Sequence, residues 1–389
     1  MSLPLPLWRL IILILALAPL SYYIVGILAA VRFFRRERAK LLPQFTPLVS
    51  LLKPVHDVDF ASYENFSSFC NQEYPDYEIL FCVNDLSDHA VPLIERLMRE
   101  YPQRKIRLLS GAEQIGSNRK VNNLALLTHE AQHEILIQSD ADVRVGPRYI
   151  REMVAPFANP SVGAVSCFYR GIAQDNLGAE LEAVGAASEF CAGALIADWK
   201  EGVTFALGAS VATTKSWLGQ IGGYEALANL LADDYEIGNR IHKAGGKVLL
   251  SRELVWTMYP AQTAKGFWQH QVRWARTTRL CRPISFLGLL FTHGLPWTLF
   301  AAVVSPDLTL SISYLIAYLI LRFSMAWTVG IWGLSDEVLR RRFFLIPVRD
   351  AIHFFVWIAS FTSNRVNWGD TQFDLKNGQM IEIHSRTDS

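Results

Sequence analysis

Apolar residues are gathered at the two ends of the chain. From Leu10 to Val31 there is no charge, and only Pro19, Ser21, Tyr22, Tyr23 and Gly26 interrupt the run. At about 1.5 Å per residue this segment is long enough to cross a bilayer as a helix. A cleaved signal peptide has a shorter apolar stretch, roughly 7–15 residues, closed by a small-x-small site. Arg32, Arg35, Arg36, Arg38 and Lys40 follow the run against the single acid Glu37, whereas only Arg9 precedes it. The positive-inside rule then predicts an anchor with its amino end outside and the following chain in the cytoplasm.

The C-terminal third is apolar again. Ile284 to Val304 reads as one span, carrying His293, Gly294 and Pro296, and Leu308 to Trp332 as another, with Arg322 near its middle. Ser305-Pro306-Asp307 between them suits a tight hairpin. The stretch Asp336–Arg342 is net positive and is expected back in the cytoplasm. Phe343 to Phe361 contains Arg349, Asp350 and His353, which are expensive in hydrocarbon. It reads either as a span facing a bundle interior or as a helix in the interface, and the choice sets the side of the tail 364–389.

Between these ends, short apolar runs alternate with amphipathic stretches. Val49–Leu52, Ile79–Val83, Ile106–Leu109 and Ile135–Gln138 read as strands. Asp57–Gln72, Asp88–Tyr101 and Asn118–His129 carry apolar residues at helical spacing. The order βαβαβαβ at intervals of about 25–30 residues predicts an α/β domain with a mostly parallel sheet. The expected organisation is an anchor with a basic flank at 1–40, a catalytic domain at 41–283, membrane helices at 284–363 and a tail at 364–389.

Composition sharpens this pattern. Of 389 residues, 51% are hydrophobic and only 19% are charged, below the roughly 25% of a soluble globular chain, which excludes a disordered protein. The net charge of +1 gives no reason to expect a nucleic-acid partner. Cys70, Cys82, Cys167, Cys191 and Cys281 show no paired spacing, and their odd number favours thiols over a disulfide framework.

In open α/β sheets, ligands sit beyond the carboxyl ends of strands. The first of these strands runs into Lys53-Pro54, the second into Asp85 and the fourth into Asp140-Ala141-Asp142. A DxD closing a strand suits a hard divalent cation that bridges nucleotide phosphates, although an isolated DxD is more often a solvated turn. Asp233 and Asp234, ahead of a helical run, can act as an N-terminal cap or as a general base. His270-Gln271-Val272-Arg273-Trp274 can be a juxtamembrane anchor or a phosphate clamp. Glu180–Trp199 is rich in small residues and reads as a core helix or as a segment on the membrane face.

Taken in order, these features resemble the inverting GT-A glycosyltransferases with the D, D, D, (Q/R)xxRW pattern. Tyr74-Pro75-Asp76-Tyr77, the Asn118–Leu124 stretch, Ser139–Val145 and Leu231–Tyr235 narrow the likeness to ceramide glucosyltransferases and the related hopanoid-biosynthesis-associated enzymes. The resemblance implies a Rossmann-like GT-A domain that moves glucose or N-acetylglucosamine from a UDP-sugar to a lipid hydroxyl with inversion, the lipid being ceramide or a hopanoid. It implies Asp85 at the uridine, and Asp140 and Asp142 holding Mg²⁺ or Mn²⁺ on the diphosphate. Lys53 and Lys120 are then donor-side lysines, Asp234 the catalytic base and Asp233 the acid before it. Arg273 and Trp274 lie near diphosphate and acceptor. His270 stands at the (Q/R) position, so that role falls to His270 itself or to the flanking Gln269 or Gln271. An integral protein of the bacterial inner-membrane type, with its catalytic domain cytoplasmic, is the expected setting. A processive synthase shares the motif order but normally needs more spans, and a nucleotide-binding protein without activity is the rival from another class.

Overall fold

The computed structural model describes residues 5–368, 371–376 and 378–383. Its main sheet has eight strands: β1 Val49–Pro54, β2 Tyr77–Val83, β3 Lys105–Ser110, β4 Ile135–Ser139, β5 Val143–Arg144, β6 Val162–Ala173, β7 Ser210–Thr214 and β8 Lys247–Tyr259. They lie in the order β3-β2-β1-β4-β7-β6-β8-β5. β1, β2 and β4 are buried at every position, as near-continuous apolar runs require when both sheet faces are covered. β3, β2, β1 and β4 pair in parallel, with Leu52 opposite both Leu80 and Gln138, so the carboxyl ends of β1, β2 and β4 are level.

The parallel expectation describes this half only. β7 pairs antiparallel with β4 and with β6, and β5 antiparallel with β8. Helices also separate these later strands, but the pairing they lead to is antiparallel.

The first two helices are shorter than periodicity suggested, because acidic side chains turn the chain before each one begins. Asp57 adopts φ 62°, and Asp59 accepts from the Ala61 amide, so the first sheet-covering helix runs only over Ser62–Cys70. Asp88 accepts from the Ala90 amide ahead of the Val91–Glu100 helix. Asn118 caps Arg119–Glu130 by accepting from Val121 N at 3.1 Å.

The chain forms two compact units. One comprises 36–172, 201–260 and 368–389, and the other comprises 1–35, 173–200 and 261–367. This departs from a single 41–283 domain. The helices Leu177–Gly185 and Ala264–Cys281 group with the apolar helices because Leu181 and Phe267 are buried with Leu345 and Ile352, and Arg342 pairs with Glu180 at 2.7 Å. The tail groups with the sheet unit through a hairpin, β10 Thr371–Lys376 and β11 Gln379–Glu382, preceded by β9 Arg365–Trp368. Residues 369–370, 377 and 384–389 of the expected tail lie outside the described residues.

Among the described residues, three helices are long and apolar enough to cross a membrane: Leu7–Ala39, Leu308–Gly333 and Phe343–Ser360. The expected span at 284–304 is broken, with Pro283–Thr292 and Gly294–Val304 meeting at 48°. The break falls at His293, and the freed Gly294 N–H donates to Tyr23 Oη at 3.1 Å. A Cβ on residue 294 would lie 2.1 Å from that oxygen, so glycine is required there.

Arg322, near the middle of its helix and 1% exposed, is matched by Asp350. Its Nη2 and Nε donate to the carboxylate at 2.8 and 3.0 Å, Tyr318 donates to the same carboxylate at 2.8 Å, and Ser188 accepts from the guanidinium. Removing one partner of a buried pair strands the other charge. Asp350→Ala is therefore expected to cost about 3–5 kcal/mol, and the double change Arg322→Met, Asp350→Leu to recover most of it. Thermal unfolding in detergent measures both.

Candidate functional site

In the sheet unit, the expected carboxylates converge beyond the carboxyl end of β4. Val143 N donates to Asp140 O, Asp140 N to Ala209 O and Met258 N to Asp142 O, which fixes the turn carrying Asp140 and Asp142. Lys120, in the first turn of the Asn118-capped helix, reaches this turn. Its Nζ lies 2.6 Å from Asp140 Oδ1 and 3.7 Å from Asp233 Oδ2. Burial opposes charge on Lys120, yet Asp140, then Asp233 and Asp234, hold it above the ordinary lysine value.

Asp233 and Asp234 open the Asp233–Lys243 helix, where its dipole favours negative charge. Asp233 is 4% exposed. Its carboxyl is raised by burial, with Lys120 opposing. Asp234 is pushed up to about 7 by burial and then by the charge of Asp233. Gly208 leaves room for it, since a Cβ there would lie 2.3 Å from Asp234 Oδ2.

Two other expected residues sit differently. Lys53 is fully buried and donates to the main-chain oxygen of Asp140, with Phe69 4.1 Å from its ammonium. Burial lowers it to about 7, against the pull of Asp140 and Asp142. It holds the DxD turn from beneath instead of projecting into open space. Asp85 is exposed after β2, and the hydrogen bonds of Ser87 hold its carboxyl below the usual range.

The loop before Asp233 is locked to the Lys120 helix. Ala228 O accepts from Asn118 N and Leu230 O from Asn118 Nδ2, both at 2.8 Å, and Asn229 Oδ1 accepts from Ser117 N. The β11 strand clasps the same loop, with Met380 N donating to Asn229 O at 2.7 Å and Leu230 bridged to Gln379. The tail sequence alone carried no sign of this role.

Asp140, Asp142, Asp233 and Asp234 outnumber the cations Lys120 and Lys53. Asp142 shows the excess, its carboxyl pushed up to about 7 by burial and by Asp140. Among the described residues no three His, Cys, Asp or Glu side chains are grouped to hold a metal. The donor set therefore fits a hard divalent ion only where two carboxylates are completed by phosphate oxygens and water, as Mg²⁺ commonly requires.

In the other unit, His270, Arg273 and Trp274 lie on the Ala264–Cys281 helix. His270 Nδ1 is 2.6 Å from Glu182 Oε1, and Trp274 Nε1 donates to His270 Nε2 at 3.0 Å, so the ring carries its hydrogen on Nδ1. Gln262 donates to the second Glu182 oxygen at 2.6 Å. Burial acts to raise the Glu182 carboxyl, but the hydrogen bonds of His270 and Gln262 hold the group below its ordinary value. Burial lowers the Arg273 guanidinium, with Glu182 opposing. Gln271 is half-buried beside them, and no hydrogen bond ties it to this set. Glu182, 88 positions from His270, escaped the sequence reading because nothing local marks it.

His270 thus both satisfies Glu182 and orients the Trp274 ring. His270→Ala leaves a buried carboxylate unpaired and is expected to lower stability by about 1–3 kcal/mol. His270→Gln, which keeps a donor and an acceptor, is expected to restore most of that loss, as read by thermal unfolding.

The comparisons agree with the architecture. A solved mannosyltransferase from Pyrobaculum calidifontis, in complex with GDP-Man and Mn²⁺, matches 90% of this chain and 99% of its own at a TM-score of 0.50. At 16% identity that likeness concerns the fold, a GT-A-like mixed α/β sheet. Ceramide glucosyltransferase 1 of Caenorhabditis elegans is 26% identical over 256 residues, covering 65% of this chain and 55% of that protein. Ceramide glucosyltransferase 3 of the same organism is 26% identical over 241 residues, covering 59% and 50%. The ceramide glucosyltransferase of Komagataella phaffii is 30% identical over 144 residues, covering 34% and 28%. The chain spans about half the length of the C. elegans relatives it matches. The family model described as Glycosyl transferase family 21 matches residues 11–381, and the chain belongs to that family.

Proposed function

We propose that this protein transfers a hexose from a UDP-sugar, either UDP-glucose or UDP-N-acetylglucosamine, to the hydroxyl of a membrane lipid with inversion. The convergence of Asp140, Asp142, Asp233 and Asp234 around Lys120 at the strand ends carries this reading. Family membership and the names of the ceramide glucosyltransferase relatives support it.

In the proposed mechanism, Lys120 sits beside the donor diphosphate and stabilises charge growing on the leaving group as the anomeric bond breaks. Asp140 and Asp142 would hold Mg²⁺ or Mn²⁺, which neutralises phosphate charge when bound. Asp234 accepts the proton of the lipid hydroxyl as its oxygen attacks, in a single displacement that inverts the anomeric centre. Asp233 keeps Lys120 in place.

The same proposal sets a topology. Residues 36–172, 201–260 and the tail from Trp368 belong to one unit, which lies on one side of a membrane. Segment 261–367 leaves and returns, so it crosses an even number of times, although it contains three candidate spans. Leu308–Gly333 runs parallel to the N-terminal helix: Tyr314 donates to Leu13 O, Tyr318 packs on Tyr23, and Met325 lies against Gly26. It therefore crosses in the same direction, and the bent pair makes the opposite crossing. Phe343–Ser360 then makes no full crossing. It lies along the amphipathic Ala264–Cys281 helix, from Leu345 near Phe267 to Thr362 and Asn364 at Arg276 and Arg279.

Purified protein incubated with UDP-sugars and with ceramide, a hopanoid polyol or diacylglycerol is expected to yield one glycolipid class by mass spectrometry. Asp234→Asn is expected to lower transfer by about 10²–10⁴-fold while UDP binding persists, and unchanged turnover removes the base assignment. Because the base works deprotonated, kcat/KM of the unaltered enzyme is expected to rise with pH up to about 7 and level off above it. For the topology, Lys376→Cys is expected to react with an impermeant maleimide only when the cytoplasmic face is open, and Ser305→Cys only from the opposite face. Labelling of both from one face overturns it.

A further inference from the structure

The polar network around Arg322 has two parts. Arg322, Asp350, Tyr318 and Ser188 form the closed part, in which each group is matched by another. The second part is open. Glu189 Oε2 is 3.3 Å from Arg349 Nη2 and 3.3 Å from His353 Nδ1, and the His353 ring lies 4.9 Å from that of His293. Arg349 is 6% exposed, yet its Nε and Nη1 have no hydrogen-bond partner. His293, 5% exposed, has none on Nε2. Glu189 Oε1 makes no hydrogen bond either, although Arg322 Nη2 stands 3.6 Å away.

The backbone is built around this part. Glu189 sits on a π-helical turn, Ala186–Phe190, a form found frequently at functional sites. Gly185 allows Arg349 to lie flat against the same segment, since a Cβ there would be 2.3 Å from Arg349 Nε. On the outer side of the Phe343–Ser360 segment, Phe344, Val348, Phe355 and Ile358 are exposed apolar groups suited to acyl chains.

Depth and charge name the ligand. Arg322 lies over the ring of Tyr23, nine residues before Arg32 in the anchor, or about 13 Å of helix rise from that basic flank. The His353 side chain keeps 30% exposure and that of Glu189 14%. Among apolar helices, ionisable groups without polar company are costly. Arg322 and Arg349 balance Asp350 and Glu189 in charge. A cluster balanced in this way, with open donors and an open acceptor, suits an uncharged headgroup carrying hydroxyl or amide functions, not a phosphate.

We propose that Glu189, His293, Arg349 and His353 form the subsite that binds the polar headgroup of the lipid acceptor. This rests on the lipid-transferase reading above and specifies where the acceptor is held. In this role the four residues bind the acceptor and take no part in proton transfer.

The test combines kinetics with crosslinking. Glu189→Gln and His353→Gln are each expected to raise the KM for ceramide at least tenfold. The donor KM should stay within twofold. Unchanged lipid KM in folded variants, or a donor KM that moves in parallel, overturns the subsite. Independently, the unaltered protein in phosphatidylcholine nanodiscs containing photoactivatable ceramide is expected to crosslink within 186–193 or 346–357. Unlabelled ceramide should compete, and phosphatidate should not. Crosslinks confined elsewhere, or equal competition by phosphatidate, overturn the assignment even if no sugar is transferred. Crosslinking at these segments without transfer to any lipid keeps the subsite and removes the transferase reading.

Discussion

Lys120 lies between Asp140 and Asp233, and the sheet unit depends on that placement. Four carboxylates gathered at strand and helix ends repel one another, and burial raises those of Asp142, Asp233 and Asp234. One ammonium in their midst makes the arrangement tolerable without cancelling it. The uncancelled charge suits a cationic cofactor and a polyphosphate arriving together. Much of the surrounding structure serves to hold this lysine. Asn118 caps its helix and bonds the loop before Asp233, and the β11 strand clasps that loop from outside. Lys53, whose ammonium has lost its water, fastens the main chain of the DxD turn.

The second unit meets a different constraint. Polar side chains among apolar helices must find partners within the protein, because the surroundings offer none. Tyr23 meets the Gly294 amide at the helix break, Asp350 meets Arg322, and Glu182 is matched by His270 and Gln262. Against that pattern of closure, the unmet donors of Arg349 and the free edge of His293 stand out. They lie beside Glu189 and His353, which keep part of their side chains exposed.

Much was legible from spacing alone. The strands β1 to β4 follow from short apolar runs, because a strand buried on both faces needs no alternation. The acids at their ends follow from the rule that loops beyond strand termini carry chemistry. The apolar helices follow from length and lack of charge. What failed was what depended on contact across the chain. Periodicity overran the Ser62–Cys70 helix because the Asp57 and Asp59 turn is local chemistry, not hydrophobic pattern. It missed the break at His293, which is stabilised by a tyrosine 271 positions away.

The sequence by itself determined that acids and a lysine would occupy the ends of elements, and that helices at both ends are apolar. Residue type and periodicity are local properties, so a single chain records them. Only the tertiary structure decided that Lys53 lies beneath the DxD turn, that His270 is tied to Glu182, and that the tail returns to the loop before Asp233. It also showed that an apolar stretch such as Phe343–Ser360 has a polar side, turned toward Glu189 and Arg322. Each of these depends on a partner distant in sequence, and burial, which sets the energy of every charge involved, exists only once those partners have met.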